Sequence, residues 1–198
     1  MAGLWHGWSL CVTKRLAPSA ATGAFGRLAD RWTHHFRLLS WKTVRIDASP
    51  LYLDTSALAK IYVQETDSDV LDAALIGRRD LLISELALTE LTSAIARRVR
   101  ERRIAPAAGR RIYQQLFRDL RASEYRLFDL TPATHREAER LLLTIGRHTP
   151  LRAADSLHLA VAALADARAL VTYDLPMHAA ASALGSLEVV PALLASRS

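Results

Sequence analysis

Five short apolar runs, spaced by stretches of helical character, constrain this chain more than any other feature. The runs lie at 51–53, 81–83, 126–130, 169–173 and 187–190. Between them the apolar spacing predicts helices over about 55–64, 67–77, 85–103, 106–122, 132–147, 152–166 and 176–184. Their starts carry the expected signals: Asp67 and Ser68, Ser84, Pro106, Thr131 before Pro132, and Pro176. Strands alternating with helices imply a parallel sheet with helices on both faces. Runs of three to five residues without polar alternation fit strands buried on both sides. The expected fold class is therefore α/β, in three layers, α/β/α, around a parallel sheet of about five short strands.

In an open parallel sheet, ligands sit outside the carboxyl ends of the strands. Asp54 closes the first run and Asp174 closes the fourth, so both aspartates are expected at one edge of the sheet. Glu90 lies one turn or more inside the helix that follows the second run, beside Leu86, Ala87, Ser93 and Ala94. Asp155 opens a helix that is apolar nearly all round and hence buried, and it shares a face there with His158 and Leu159.

Each acid also has an ordinary reading. Asp54 can cap a helix, Glu90 can be a surface charge with Arg97 two turns on, Asp155 can answer the helix dipole, and Asp174 can form a turn before Pro176. His158 reads as a core histidine or one that orients a neighbour, not as a metal ligand. Taken together, four acids at one edge would repel one another and raise one another's pKa values. A divalent cation relieves that repulsion, and an all-carboxylate donor set suits Mg²⁺ or Mn²⁺. Such a site can hold a phosphodiester and activate a water. On this reading Thr55 and Ser56 start the helix and leave Asp54 free for the metal.

Composition limits the alternatives. Cys11 is the only cysteine, which excludes disulfides and thiolate metal clusters and fits a reducing, cytoplasmic compartment. No apolar run approaches the roughly 20 residues of a membrane-spanning helix, so no integral membrane segment is expected. Lys14 and Arg15 follow the first apolar stretch instead of preceding it, against a secretory signal. The net charge is +6, but seven basic residues against Asp30 and Asp47 place +5 of it in the first fifty positions. All four tryptophans, Trp5, Trp8, Trp32 and Trp41, lie there too.

Residues 1–49 thus form a basic, Trp-rich extension, followed by a domain over 50–193 and a short tail over 194–198. Phe25, Leu28, Trp32, Phe36 and Leu39 recur at helical spacing with Arg27, Arg31 and Arg37 between them. This pattern reads as an amphipathic helix for a partner or an anionic membrane, as a targeting segment, as a disordered tail, or as a wrongly assigned start. A start near Val44 would need a non-Met codon, because Met1 and Met177 are the only methionines. Within the domain, Arg97, Arg98, Arg100, Arg102 and Arg103 end the helix that carries Glu90, and Arg110 and Arg111 lie just beyond. Such a cluster can track phosphates beside an acidic site.

Over residues 50–193 the sequence resembles the PIN-domain ribonucleases, specifically the toxins of VapBC-type (type II) toxin–antitoxin pairs. The matching segments are LYLDTSAL at 51–58, SELALTEL at 84–91, LRAADSLHLA at 151–160 and LVTYD at 170–174. The resemblance implies Mg²⁺ or Mn²⁺ dependence and hydrolysis of RNA phosphodiester bonds. It carries over Asp54, Glu90, Asp155 and Asp174 as the catalytic acids. Asp54 and Asp155 are expected to contact metal directly; Glu90 and Asp174 would bind a second ion or act through water. Ser56 and Thr172 supply hydroxyls beside the site. Arg97, Arg98 and Arg152 are the candidates for RNA contact. A small VapB-like antitoxin, a homodimer and a toxin–antitoxin hetero-oligomer are the implied assemblies. The departure from the family pattern is the length of chain before the first strand. Two other readings stand beside this one: a PIN-fold module that binds RNA or a partner without cutting, and a phosphatase with Asp54 as nucleophile, which lacks the usual second acid at Ser56.

Overall fold

The computed structural model describes residues 48–193 and the short strand Leu39–Ser40 (β1). The elements then run β2 (Leu51–Leu53), α1 (Thr55–Tyr62), α2 (Ser68–Leu75), β3 (Leu81–Ser84), α3 (Glu85–Arg100), α4 (Pro106–Arg121) and β4 (Arg126–Phe128). They continue with α5 (Pro132–Thr144), a 3₁₀ turn (Ile145–Arg147), α6 (Ala153–Leu164), β5 (Ala169–Val171), α7 (Leu175–Leu184), β6 (Glu188–Val190) and β7 (Ala192–Leu193). The amphipathic pattern around Phe25–Leu39 and the tail over 194–198 lie outside the described residues, apart from β1, which pairs antiparallel with β7.

Strands β2 to β6 form one five-stranded sheet in the order β4-β3-β2-β5-β6, with every pairing parallel. The pleat sorts its side chains between two cores. Leu51, Leu53, Leu81, Ile83, Ala169 and Val171 point to one face and pack with Leu58, Leu71, Leu91, Ile95, Ile112 and Leu116 of α1–α4. Tyr52, Leu82 and Leu170 point to the other and pack with Leu141, Leu159, Val161, Met177 and Ala181 of α5–α7. Each fully buried leucine contributes about 1.5–3 kcal/mol relative to exposure. This is the three-layer α/β/α arrangement expected from alternating runs.

Several boundaries depart from the sequence reading: the fourth run, 169–173, is a strand only over Ala169–Val171, and the helix expected over 85–103 ends at Arg100. The third run, 126–130, is a strand only over Arg126–Phe128, and it is an edge strand whose Arg126 and Leu127 are exposed. An edge strand has a neighbour on one side only, so it is not buried as the central strands are. The helix expected over 132–147 ends as an α-helix at Thr144 and tightens into a 3₁₀ turn, a common form for a last turn. Among the described residues no helix is long and apolar enough to cross a membrane.

The α3–α4 hairpin depends on Gly109. A Cβ there would meet Val99 Cγ2 at 3.0 Å and Ile95 Cγ2 at 3.2 Å. Neither β-branched side chain can swing aside cheaply. Gly109→Val is therefore expected to destabilise the domain by about 1–3 kcal/mol, the usual cost of overpacking. A thermal melt that leaves the midpoint unchanged would refute this.

Candidate active site

Register places the first acid. Leu53 of β2 pairs with Val171 of β5, so the residues that follow, Asp54 and Thr172, emerge side by side at the carboxyl edge. The Asp54 amide donates to Val171 O at 3.2 Å. The Asp54 carboxylate is buried, with Oδ1 accepting from Ser56 Oγ at 2.7 Å and Ala57 N at 2.9 Å, and Oδ2 accepting from Thr172 Oγ1 at 2.5 Å. The two hydroxyls tie the strand ends together in turn. Ser56 Oγ accepts from Tyr173 N at 2.7 Å, and Thr172 Oγ1 accepts from Asp174 N at 3.1 Å.

Asp54 is the N-cap of α1 through its bond from Ala57 N. The helix begins at Thr55 as expected, but the expectation that this leaves Asp54 free of capping is corrected. Capping and site are the same carboxylate. Three of its roughly four acceptor positions are filled by the protein, which leaves one for a ligand. Asp174 likewise caps α7, accepting from Met177 N at 3.0 Å. Asp155 Oδ2 accepts from Arg152 N at 3.1 Å at the start of α6.

Glu90 reaches inward from α3, half-buried. Its Oε2 is bonded by Thr55 Oγ1 and lies 2.8 Å from His158 Nε2. His158 is buried, and its Nδ1 sits 2.7 Å from Tyr52 Oη, which donates to Ser84 Oγ at 2.8 Å. The sequence reading anticipated a buried His158. It missed Thr55, Tyr52 and Ser84 as parts of the site, having assigned them to a helix start, an apolar strand and another helix start. A buried tyrosine usually finds a hydrogen-bond partner for its hydroxyl, and that was the available signal for Tyr52.

The electrostatics follow from burial. Loss of water raises the Asp54 pKa; His158, the Thr172 hydroxyl, the Ala57 amide and the Ser56 hydroxyl pull it back without cancelling the rise. Burial also raises the Asp155 pKa, and the charge of Asp174 adds to it, against the Arg152 amide and the charges of Arg152 and His158. For Glu90, burial is again the largest effect and acts upward, but the bonds from His158 and Thr55 with the His158 charge outweigh it and leave the pKa lowered. Asp155 therefore senses Asp174, and Asp54 and Asp155 both sense His158.

Among the described residues no group of three or more His, Cys, Asp or Glu side chains stands arranged to hold an ion. A closed protein cage is not what Mg²⁺ requires, since it is usually held by one or two carboxylates and keeps several waters. Two buried or half-buried carboxyls with raised pKa values, in an all-oxygen donor set, fit such an ion. Of the arginines, Arg97 and Arg152 are exposed, while Arg98 is paired with Glu65.

Fold and site together define a three-layer α/β domain with Asp54 beside the carboxyl end of β5, Asp174 capping the helix that follows β5, and Glu90 bonded to Thr55 next to Asp54. A family model for the PIN domain matches residues 51–182, and the chain belongs to the PIN domain family. It is 34% identical over 143 residues to Ribonuclease VapC46 of Mycobacterium tuberculosis, covering 71% of this chain and 97% of that relative. Its fold is similar to that of VapC20 of Mycobacterium tuberculosis, described as a sarcin–ricin loop cleaving toxin, with a TM-score of 0.54 and 17% identity over 70% of this chain and 98% of the other. FitAcB of Neisseria gonorrhoeae is similar at a TM-score of 0.56 and 16% identity, over 70% and 95% of the two chains.

Proposed function

We infer that this chain is an endoribonuclease, the toxin of a type II toxin–antitoxin pair, which hydrolyses RNA phosphodiester bonds with the help of a divalent cation. The observation that carries the reading is the match, across nearly the whole length of the relative, to a protein named as a ribonuclease. The site fits it. Asp54 and Asp155 would hold Mg²⁺ or Mn²⁺, with Glu90 and Asp174 acting through water or on a second ion. When bound, the cation supplies positive charge for the phosphodiester and lowers the pKa of an attacking water.

The chain's own residues then have distinct tasks. Ser56 and Thr172 fix both oxygens of Asp54, so its remaining acceptor position is aimed before any ligand arrives. Asp155 and Asp174 concentrate negative charge that Arg152 and His158 offset only in part, and a cation would offset the rest. Arg97 and Arg152, being exposed, can meet phosphates on either side of the scissile bond; Arg98, engaged with Glu65, serves the α3 face instead. The partners that accompany this reading are RNA, a small VapB-like antitoxin and a second copy of the chain, in a cytoplasmic setting.

Purified full-length chain incubated with an RNA pool tests the proposal. Internal cuts are expected with Mg²⁺ or Mn²⁺ and none in excess EDTA. RNA that stays intact with either cation, or cleavage that persists in EDTA, would refute it.

A further inference from the structure

One buried chain of polar groups has no task in the chemistry above. It runs from Ser84 Oγ through Tyr52 Oη and the His158 ring to Glu90, with links of 2.8, 2.7 and 2.8 Å. Tyr52 and Ser84 are fully buried and His158 is 2% exposed. The chain crosses from β2 and the end of β3 to α6 and then to α3, passing through the sheet-facing core. An apolar trio of similar volume would pack there without the desolvation cost of three polar groups. The chain is satisfied throughout, which is the condition under which a buried network rigidifies its surroundings.

The network ends on a residue that needs restraint. Glu90 is 34% exposed, on a long side chain that loses rotamer freedom when ordered. Both of its contacts, from Thr55 and His158, fall on Oε2. Among the described residues Oε1 has no recorded protein partner.

Resting on the ribonuclease reading, we propose that Tyr52 and His158 are positioning residues that hold Glu90 by Oε2 and present its Oε1 to the cation and its waters. An ionised carboxylate only accepts, so His158 Nε2 carries a hydrogen toward Glu90. The far end adapts. In the neutral ring, Nδ1 accepts from the Tyr52 hydroxyl, and the Tyr52–Ser84 bond reverses from the direction seen in the structure, so that Ser84 donates. In the charged ring, Nδ1 donates to Tyr52, and Tyr52 donates to Ser84. Rotation of two hydroxyls satisfies both states, so the grip on Glu90 survives either. Burial also pushes the Tyr52 phenol far up, with the Ser84 bond opposing and the charges of Asp54 and Glu90 adding, so the hydroxyl keeps its proton.

The test uses the full chain and two independent readouts, Mn²⁺ binding by electron paramagnetic resonance without RNA and single-turnover RNA cleavage. Partners that orient metal ligands are typically worth about 10–100-fold in metal affinity or activity. His158→Phe is expected to weaken Mn²⁺ binding and slow cleavage by about that range, with the KM for RNA unchanged. His158→Gln, which keeps a donor toward Glu90, is expected to recover most of the loss. Tyr52→Phe removes one hydroxyl from a ring that stays in place, and is expected to cost about 10-fold. In a Glu90→Ala background, Tyr52→Phe is expected to have no further effect, because its action passes through Glu90. An equal loss in both backgrounds, a folded His158→Phe with wild-type Mn²⁺ affinity, or a wild-type chain that binds no Mn²⁺ would overturn the proposal. Mn²⁺ binding that responds to these substitutions in a chain that cuts no RNA would uphold the positioning role and reject the ribonuclease reading.

Discussion

Asp54→Asn is expected to lower RNA cleavage by about 10³-fold or more, the scale of several kcal/mol of charge stabilisation from a cation, while the melting temperature stays level or rises. The two halves of this outcome have one cause. Asp54 is a buried carboxylate whose pKa is raised chiefly by desolvation, so in the cation-free protein its charge costs stability at neutral pH. Asparagine removes that charge and keeps the shape. Its carbonyl can still accept from Ser56 Oγ and Ala57 N, the two donors on Oδ1. Its amide can donate to Thr172 Oγ1, whose other lone pair still holds the Asp174 amide. The cap survives and the ligand does not. An Asp54→Asn protein that cleaves RNA at the wild-type rate would contradict the site assignment; one that fails to fold would contradict the account of its hydrogen bonds.

The second large effect is stabilisation by the cation, and its dependence on pH. A group whose pKa is raised by folding binds its proton more tightly in the native state. Its contribution to stability is present below the unfolded carboxylate range and is lost as pH rises through the folded pKa. Asp54 and Asp155 both follow this sense. Glu90, held low by His158 and Thr55 against its burial, stays ionised above the ordinary carboxylate range. A cation must compete with protons for the two aspartates, and it competes less well as the pH falls. At a concentration about 100-fold over its Kd, Mg²⁺ is expected to raise the melting midpoint by about 5–10 °C at neutral pH. The rise is expected to shrink steadily toward about pH 5, above the range in which an exposed aspartate titrates. Differential scanning calorimetry at several pH values measures it directly. A shift of the same size at every pH would show that Asp54 and Asp155 are not the groups that receive the ion.

The layered fold was legible because its signals are local. Five apolar runs marked the five strands of the sheet, and Ser84, Pro106, Thr131 and Pro176 marked helix starts that the structure places within a residue or so. Asp54 was legible as a strand-ending acid because a carboxylate there interrupts an apolar run; Asp174, read the same way, lies past the end of β5 at Val171 and caps α7. What escaped the sequence was long-range. Nothing near Tyr52 announces that residue 158 lies against it, 106 positions later. Nothing near Glu90 announces Thr55. That Asp54 caps α1 while keeping an acceptor position for a ligand escaped for another reason. Cap and ligand were read as alternatives, although a carboxylate has enough lone pairs to be both. The exposed β4 escaped because its apolar letters do not reveal that the strand sits at the edge of the sheet.

The link between Asp54 and Thr172 joins residues 118 positions apart, and it bears on the order in which the chain is made. Synthesis proceeds from the amino end, and domains generally fold as units as they emerge. A nascent chain that has reached residue 150 already contains Asp54 and Glu90 but not Asp155, His158, Thr172 or Asp174. Its β2 has gained β3 on one side and still lacks β5 on the other. On the proposed site, competence for catalysis arrives only with the last quarter of the polypeptide, so truncated products of interrupted translation are expected to be inert.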